Sequence, residues 1–201
     1  MSRNRETTET RLVQAVGTVI STLDQRELTA SAVAETAGVD RMLINRYFGG
    51  LNGLVERFAA NHRLCWASEL LTQGLGPGQV AGPRPAILTM VLLRYLRMLV
   101  GAPALLGILK AEFGADSALA RLISSHRQHE EKRLFGSLGL ILGAPLDPHE
   151  LVGLKTYMSA ICLELIRREA GPAGGGMLDA DELARLEAAI TLGAAAQFGA
   201  R

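Results

Sequence analysis

The sequence has few aromatic residues, little net charge and no clusters of the residues that strands favour. Only 4% of its 201 residues are Phe, Trp or Tyr, whereas 48% are hydrophobic. That apolar content is enough to form a sizeable core. Because the long apolar segments are rich in Ala and Leu, the composition predicts an all-α protein. The formal net charge of +1 neither requires nor excludes a nucleic acid as partner.

Cysteine pairs and long hydrophobic runs are also lacking. Cys65 and Cys162 are far apart and have no metal-binding or redox spacing, so we expect two buried free thiols. The most apolar stretch, residues 87–100, contains Arg94 and Arg97 and is shorter than the roughly 20 residues of a membrane span. The polar first residues do not resemble a signal peptide. The sequence therefore predicts a cytoplasmic protein with no membrane partner.

Apolar periodicity and helix-boundary residues predict the secondary structure. The predicted helices cover residues 6–23, 30–37, 41–47, 51–73, 85–100, 103–113, 116–142, 147–170 and 179–198. Asp147 with Glu150, and Asp179 with Glu182, have the spacing of capping boxes and begin the last two helices. The segments 74–85 and 171–176 are rich in Gly or Pro and are predicted to be loops.

Two short helices near the start have the spacing of a helix-turn-helix. Thr29 is placed to cap the first of them, and Asp40 to cap the second. Gly38 allows the sharp turn between them, and Val39 is expected to fill the gap where they cross. The second helix is then free to present its polar face to the major groove of DNA.

The residues of this segment resemble the TetR family of repressors. The resemblance covers residues 11–58 and consists of Leu28-Thr29, Val33-Ala34, Ala37-Gly38-Val39, Leu43-Ile44 and Tyr47-Phe48, followed by a long helix. It implies about nine or ten helices with an N-terminal helix-turn-helix, a homodimer, and release from a palindromic operator on double-stranded DNA when a ligand binds. We expect a DNA-binding domain over residues 1–50 and a ligand-binding and dimerisation domain over residues 51–201.

Three side chains of the second short helix have the chemistry for base recognition. Asn45 could bind an adenine edge, Arg41 a guanine, and Met42 a thymine methyl group. Thr29, Arg46 and Tyr47 are better placed for phosphates, the Tyr hydroxyl by analogy with the family.

Basic residues at the very start of the chain suggest a further contact with DNA. Arg3 and Arg5 are predicted to reach the minor groove as a flexible arm.

The charge balance of the N-terminal segment leaves an alternative open. Residues 1–60 contain seven basic and seven acidic residues, although DNA affinity depends heavily on phosphate contacts. Leu51 stands where the family usually has a Lys that meets a phosphate, and Met42 and Asn45 also depart from the usual pattern. The alternative is a helical interaction protein of the same fold that does not bind DNA sequence-specifically.

Apolar residues of the C-terminal part predict a pocket for a small apolar or aromatic ligand. The candidate lining residues are Trp66, Met90, Leu93, Met98, Leu106, Leu109, Phe113, Tyr157 and Met158. A filled core is the alternative for each of them.

The last two long helices, over residues 147–170 and 179–198, are predicted to form the dimer interface. The first has one apolar stripe and part of a second, and a helix that is apolar on two sides needs two partners, one of which is its own core. The first stripe comprises Leu151, Leu154, Met158, Ile161, Cys162 and Leu165. The second comprises Val152, Tyr157 and Leu163. In the final helix Gly193-Ala-Ala-Ala196 would permit close helix approach.

No residue pattern indicates catalysis. His126, His129 and Glu130 share a helical face, as metal ligands can, but their charged surroundings favour a solvated surface. Ser124-Ser125 lacks an orienting acid and an oxyanion motif. We therefore expect no enzyme activity, no cofactor and no metal.

Overall fold

The computed structural model describes residues 2–22, 28–61, 64–76, 82–113, 118–169 and 178–199. These residues form helices and no strand, which confirms the predicted all-α class. The helices are α1 (Ser2–Thr22), α2 (Ala30–Ala37), α3 (Met42–Phe48), α4 (Leu51–Asn61), α5 (Ser68–Thr72), α6 (Arg84–Val100), α7 (Pro103–Lys110), a 3₁₀ turn (Ala111–Phe113), α8 (Ala118–Ile141), α9 (Pro148–Glu169) and α10 (Ala180–Gly199).

The chain divides into two compact units. The first unit comprises Met1–Cys65 and Gly107–Arg127, and the second comprises Trp66–Leu106 and Gln128–Arg201. The division falls inside α7 and α8. The functional boundary that we expect after residue 50 stays a prediction.

In the first unit, α1 packs on α2 and α4, and α4 packs on α3. The apolar residues of α1 recur at helical spacing, so they share the face that is covered by these neighbours. The buried side chains include Leu12, Val16, Val19, Val33, Ala34, Ile44, Leu54 and Phe58. This small core holds the predicted helix-turn-helix.

In the second unit, α6 occupies the centre and packs against α5, α9 and α10. Its buried residues lie on several sides of the helix, as its apolar sequence predicts. They are Ile87, Leu88, Val91, Leu92, Tyr95, Leu96 and Leu99. The partners on α9 are a stripe of buried residues that includes Leu154, Met158, Ile161 and Leu165.

Both capping boxes are confirmed. The Glu150 N–H donates to Asp147 Oδ1 at 3.0 Å, and the Asp147 N–H donates to Glu150 Oε2 at 2.9 Å. The corresponding distances for Asp179 and Glu182 are 2.7 and 3.3 Å. These boxes satisfy amides that the first helical turn leaves without intrahelical partners.

The single helix predicted over residues 51–73 is wrong. Helix α4 ends at Asn61, and the chain turns into the five-residue α5 only after an extended Ala67 (φ −104°, ψ 127°). The carboxylate of Glu130 accepts hydrogen bonds from the N–H and the hydroxyl of Ser68, both at 2.8 Å. At the other end of α5, the Arg94 guanidinium donates to the carbonyl oxygens of Leu71 and Gln73. Side chains distant in sequence therefore satisfy both ends of the short helix.

Smaller predictions have mixed outcomes. Cys65 and Cys162 are buried free thiols, as expected. Helix α1 begins at Ser2, four residues earlier than predicted. The predicted link over 171–176 lies outside the described residues. Among the described residues, no single helix is long and apolar enough to cross a membrane. One sharply bent pair of segments, 84–100 and 105–113, meets the length and composition of a span but no more.

Candidate nucleic-acid interface

The turn between α2 and α3 is built by local hydrogen bonds. The Ala32 N–H donates to Thr29 Oγ1 at 3.1 Å, which confirms Thr29 as the N-cap of α2. Gly38 adopts a left-handed conformation (φ 62°, ψ 42°), and its N–H donates to the Glu35 carbonyl oxygen at 2.9 Å. A side chain with a Cβ rarely adopts this conformation, so the glycine allows the sharp turn.

A side chain of α1 also stabilises this turn, through a contact that was not predicted from the sequence. The Arg11 guanidinium donates to the Ala37 carbonyl oxygen at 2.5 Å, at the C-terminal end of α2. An unsatisfied helix-end carbonyl carries partial negative charge, so a guanidinium is a favourable partner.

Helix α3 begins at Met42, one residue later than predicted. The Met42 N–H donates to Asp40 Oδ1 at 2.7 Å, so Asp40 does bind a first-turn amide, as expected from its position. Arg41 itself has helical angles (φ −56°, ψ −30°). The carboxylate of Asp40 is therefore hydrogen-bonded to the protein backbone.

The predicted recognition residues lie on the outer face of α3. Ile44 is fully buried and anchors the helix, while Arg41, Asn45 and Arg46 are exposed. Met42 is 74% exposed, so its apolar side chain is accessible to a partner molecule. The structure therefore brings together base-recognising chemistry on one exposed surface of a short helix.

Arg5 and Tyr47 meet beside this surface. The Arg5 guanidinium carbon lies 5.1 Å from the centre of the half-buried Tyr47 ring. Arg5 Nε also donates to Glu9 Oε1 at 2.7 Å, and this hydrogen bond raises the pKa of Arg5. Because α1 begins at Ser2, the prediction of a flexible arm at Arg3 and Arg5 is wrong. The i, i+4 spacing of Arg5 and Glu9 was the available signal for a helix.

The C-terminal end of α3 is shaped by glycines. Gly49 and Gly50 have φ values of 72° and 125°, and the Gly49 N–H donates to the Asn45 carbonyl oxygen at 3.0 Å. Leu51, at the start of α4, is half-buried. An apolar side chain therefore occupies the position where the family resemblance implies a phosphate-binding Lys.

The predicted pocket residues are distributed over both units. Trp66, Leu106, Leu109 and Met158 are buried. Met90, Leu93, Met98 and Tyr157 are half-buried, and Phe113 is 48% exposed. Trp66 packs edge-on against Tyr95, with ring centres 5.7 Å apart. Apart from the exposed Phe113, these side chains are buried enough for either a filled core or a pocket wall, so the ligand site stays a prediction.

Helices α9 and α10 pack closely on each other. Tyr157 lies against Phe198, with ring centres 6.4 Å apart. A Cβ atom on Gly193 would collide with the Tyr157 hydroxyl, and one on Gly153 would lie 2.8 Å from Phe198 Cε1. Tyr157 and Gly193 therefore mediate close helix packing within one chain, and the predicted dimer interface stays a prediction.

Other large apolar side chains of these two helices are exposed. Val152, Leu163 and Leu192 are 63%, 45% and 76% exposed. On α10 the exposed side around Leu192 consists largely of small residues, namely Ala188, Ala189, Ala195 and Ala196. The two helices therefore expose apolar side chains that no described part of the chain covers.

The candidate metal ligands are not assembled. Glu130 binds Ser68 and, at 3.2 Å, Arg133. Burial raises the pKa of Glu130, but the hydrogen bonds from Ser68 and the charge of Arg133 lower it more. Within the described ranges, no three His, Cys, Asp or Glu side chains are grouped as they would be around a metal ion.

Comparisons with known proteins identify the fold. No family model matches the chain, and no curated protein matches it. Among solved structures, it is similar to a TetR-like transcriptional regulator from Rhodococcus sp. RHA1, with 17% identity, a TM-score of 0.54, and coverage of 94% of this chain and 96% of that one. It is also similar to the transcriptional regulator FadR from Bacillus subtilis, solved with stearoyl-CoA, with 14% identity, a TM-score of 0.57, and coverage of 92% and 96%.

A third similar structure is a candidate transcriptional regulator from Pseudomonas aeruginosa PAO1. Its identity is 18%, its TM-score 0.58, and the coverage 96% of this chain and 93% of that one. These likenesses extend over nearly the whole chain, and they confirm that it has the TetR-like fold expected from the helix-turn-helix motif.

Proposed function

We propose that this chain is a sequence-specific DNA-binding transcriptional regulator of the TetR type. In this proposal it is a dimeric cytoplasmic repressor that leaves a palindromic operator when a small apolar or aromatic ligand binds. The observation that carries the proposal is the exposed face of α3, which presents Met42, Asn45 and the preceding Arg41, while Ile44 anchors the helix from its buried side.

The chemistry of this face matches the major groove. Asn45 has the donor and acceptor pair for adenine, Arg41 the donors for guanine, and Met42 an apolar surface for a thymine methyl group. Arg46 is exposed on the same helix and is assigned to a phosphate, together with the Tyr47 hydroxyl and Thr29.

The near-zero charge of residues 1–60 is compatible with DNA binding as long as the acidic side chains are directed towards the protein. Asp40 accepts the Met42 N–H, and Glu9 accepts a hydrogen bond from Arg5. The neutral balance nevertheless predicts weak non-specific binding at physiological salt, so specific contacts must supply more of the affinity.

The proposed ligand and dimer rest on different observations. The similar Bacillus subtilis FadR was solved with stearoyl-CoA, whose long acyl chain is apolar, and this supports a ligand with an apolar part for this chain. An apolar compound that binds the folded state should raise the melting temperature and, by reciprocal coupling, weaken operator binding. The exposed apolar face of α9 and α10 supports a homodimer, whose two-fold axis suits a palindromic operator.

The proposal can be tested by a salt titration of DNA binding. Fragments selected from the source genome would be compared with a scrambled fragment for the wild type and three variants. Arg46→Ala should weaken binding to both fragments and reduce the salt slope by about one unit. Asn45→Ala should weaken only the selected fragment, by about 1–3 kcal/mol. Lys132→Ala, which removes a cation from the exposed surface of α8, outside both proposed interfaces, is the matched control and should resemble the wild type.

A different result would favour the helical interaction protein. If the wild type does not distinguish the fragments, and the Arg46 and Asn45 variants match it, α3 does not recognise DNA. Leu51 and the balanced charge of the first sixty residues would then fit a surface that binds another protein instead of DNA.

A further inference from the structure

Arg5, Glu9 and Tyr47 form a cluster beside the exposed face of α3, and we call them the Arg5 cluster. The guanidinium of Arg5 lies 5.1 Å from the Tyr47 ring centre, and its Nε donates to Glu9 Oε1 at 2.7 Å. The side chains of Arg5 and Glu9 are 61% and 28% exposed. The cluster therefore holds a cation in a defined place while leaving much of it accessible to solvent.

We infer that Arg5 is a further phosphate-binding residue of the DNA interface and that Glu9 limits the strength of this contact. The inference rests on the proposed function, because it assumes that α3 enters the major groove. The sequence suggested a flexible arm at Arg5. In this inference Arg5 is instead a cation held in place on helix α1.

The position of the Arg5 cluster supports a backbone contact. Tyr47 follows Arg46 in α3, and its ring supports the guanidinium of Arg5 beside the recognition surface. Each strand of duplex DNA carries a phosphate about every 3.4 Å along the helix axis, so phosphates flank a helix that lies in the groove. A cation held by a ring and a helix loses less conformational freedom on binding than a free arm would.

The chemistry of the guanidinium permits two anions. Its five N–H donors form a rigid fork, and Glu9 is bound through Nε, on one edge of that fork. A phosphate can therefore approach the same cation, but the carboxylate of Glu9 repels it and competes for the donors. Glu9 thereby reduces sequence-independent affinity, which depends on phosphates, more than it reduces base recognition.

A purely structural role is the competing explanation. In that case the Arg5 cluster only braces α1 against α3, and loss of any member would lower thermal stability and DNA binding together. The two explanations predict opposite effects of removing the Glu9 charge.

The test uses the full-length chain with Arg5→Ala, Glu9→Gln, the double variant, and Glu6→Gln. Glu6 is an exposed acid of α1 outside the Arg5 cluster, so Glu6→Gln makes the same charge change elsewhere on the helix. Each protein is titrated with the selected and the scrambled fragment over a range of salt concentrations, and its melting temperature is measured.

Arg5→Ala should weaken binding to both fragments about five- to tenfold at 0.1 M salt and reduce the salt slope by about 0.9. Glu9→Gln should strengthen binding to both fragments about two- to fivefold, and more than Glu6→Gln does, since it also releases Arg5. In the Arg5→Ala background, Glu9→Gln should add no more than Glu6→Gln does, because the two residues act through one contact.

Three results would overturn the inference. One is an unchanged salt slope for Arg5→Ala while the wild type still prefers the selected fragment; the proposed function would then survive alone. The second is weaker DNA binding by Glu9→Gln together with a lower melting temperature, which would establish the structural brace. The third is an equal gain from Glu9→Gln and Glu6→Gln. Failure of the wild type to bind any DNA would instead overturn the proposed function and this inference together.

Discussion

At the scale of single residues, Gly53 determines how closely two helices approach. It is the third residue of α4, and a Cβ atom there would collide with the carbonyl oxygen of Phe48 at the end of α3. The backbone oxygen cannot move aside as a flexible side chain could. The position of α3, and hence of the proposed recognition surface, depends on this missing atom.

We expect Gly53→Ala to destabilise the protein by about 1–3 kcal/mol, the usual cost of overpacking, and to weaken DNA binding. Gly136→Ala is the matched control, since Gly136 lies inside α8 and a Cβ atom would contact nothing within 4 Å. The free energy of unfolding of that variant should rise by about 0.5–1 kcal/mol, because Ala has a higher helix propensity than Gly. Urea unfolding measures both values. Equal stability of the two variants would show that α3 and α4 do not approach as closely as described.

Two substitutions of Asp40 distinguish the effect of its helix cap on stability from the effect of its charge on DNA binding. Asp40→Ala removes the acceptor for the Met42 N–H and should cost about 0.5–2 kcal/mol of stability. Asp40→Asn keeps an acceptor, so its stability should stay near that of the wild type, while loss of a negative charge should strengthen DNA binding. Thermal melts and salt titrations of both variants test this. Weaker DNA binding by a fully stable Asp40→Asn would indicate that the carboxylate has another role.

At the scale of helices, the two capping boxes have different surroundings. Glu150 also accepts two hydrogen bonds from Arg84, at 2.6 and 2.9 Å, and its side chain is only 10% exposed. Glu182 lies 3.3 Å from Arg168 and is 40% exposed. We therefore expect Glu150→Gln to cost about 1.5–3 kcal/mol, as for a hydrogen-bonded charge, and Glu182→Gln about 0.5–1 kcal/mol.

Chemical denaturation of these two variants at neutral pH measures that difference. If Glu182→Gln proves as destabilising as Glu150→Gln, the ion pair with Arg84 adds nothing to the cap.

Two ion-paired carboxylates, those of Glu150 and Glu164, predict how stability depends on pH. Hydrogen bonds from Arg84 lower the pKa of Glu150, and those from Arg167 and Arg168 lower the pKa of Glu164 to about 2. A lowered folded-state pKa adds stability that is complete above the ordinary Glu pKa and is lost as the pH falls through the lowered value. The free energy of unfolding should therefore fall between about pH 5 and pH 2.

Glu150→Gln should flatten this pH dependence as well as lower the stability at neutral pH. Urea unfolding of the wild type and of this variant at several pH values provides the measurement. A variant whose stability falls with pH as steeply as the wild type would contradict the assigned role of Glu150.

At the scale of the whole molecule, the apolar face of α10 predicts assembly. Leu192 is 76% exposed, whereas Ile161 is 4% exposed within its own chain. Leu192→Glu should give a folded monomer, because it places a charge in the proposed interface. Ile161→Asp should unfold the chain instead, because a buried unpaired charge is strongly destabilising.

Leu70→Glu is the matched control for assembly, since Leu70 is a 54% exposed leucine on α5, outside the proposed interface. Sedimentation at micromolar concentration, with melting curves, distinguishes these cases. A wild type that sediments as a monomer would refute the dimer, and a dimeric Leu192→Glu variant would place the interface elsewhere.

Short-range interactions account for what the sequence determined by itself. The bounds of α2, its Thr29 cap, the Gly38 turn and the capping boxes of α9 and α10 were all predicted from residues within about four positions of each other. Such contacts form whenever the local backbone is helical, so the residue types alone specify them. The exposed face of α3 followed from the same local pattern.

The tertiary structure alone decided which distant groups meet. The break between α4 and α5 depends on Glu130 and Arg94, which satisfy Ser68 and Leu71 from other helices. In the same way, Arg5 became a fixed cation only because α1 reaches Tyr47. Periodicity shows that a helix has an apolar face, or that a polar group needs a partner, but not which remote segment supplies it. That choice is made by packing the whole chain at once.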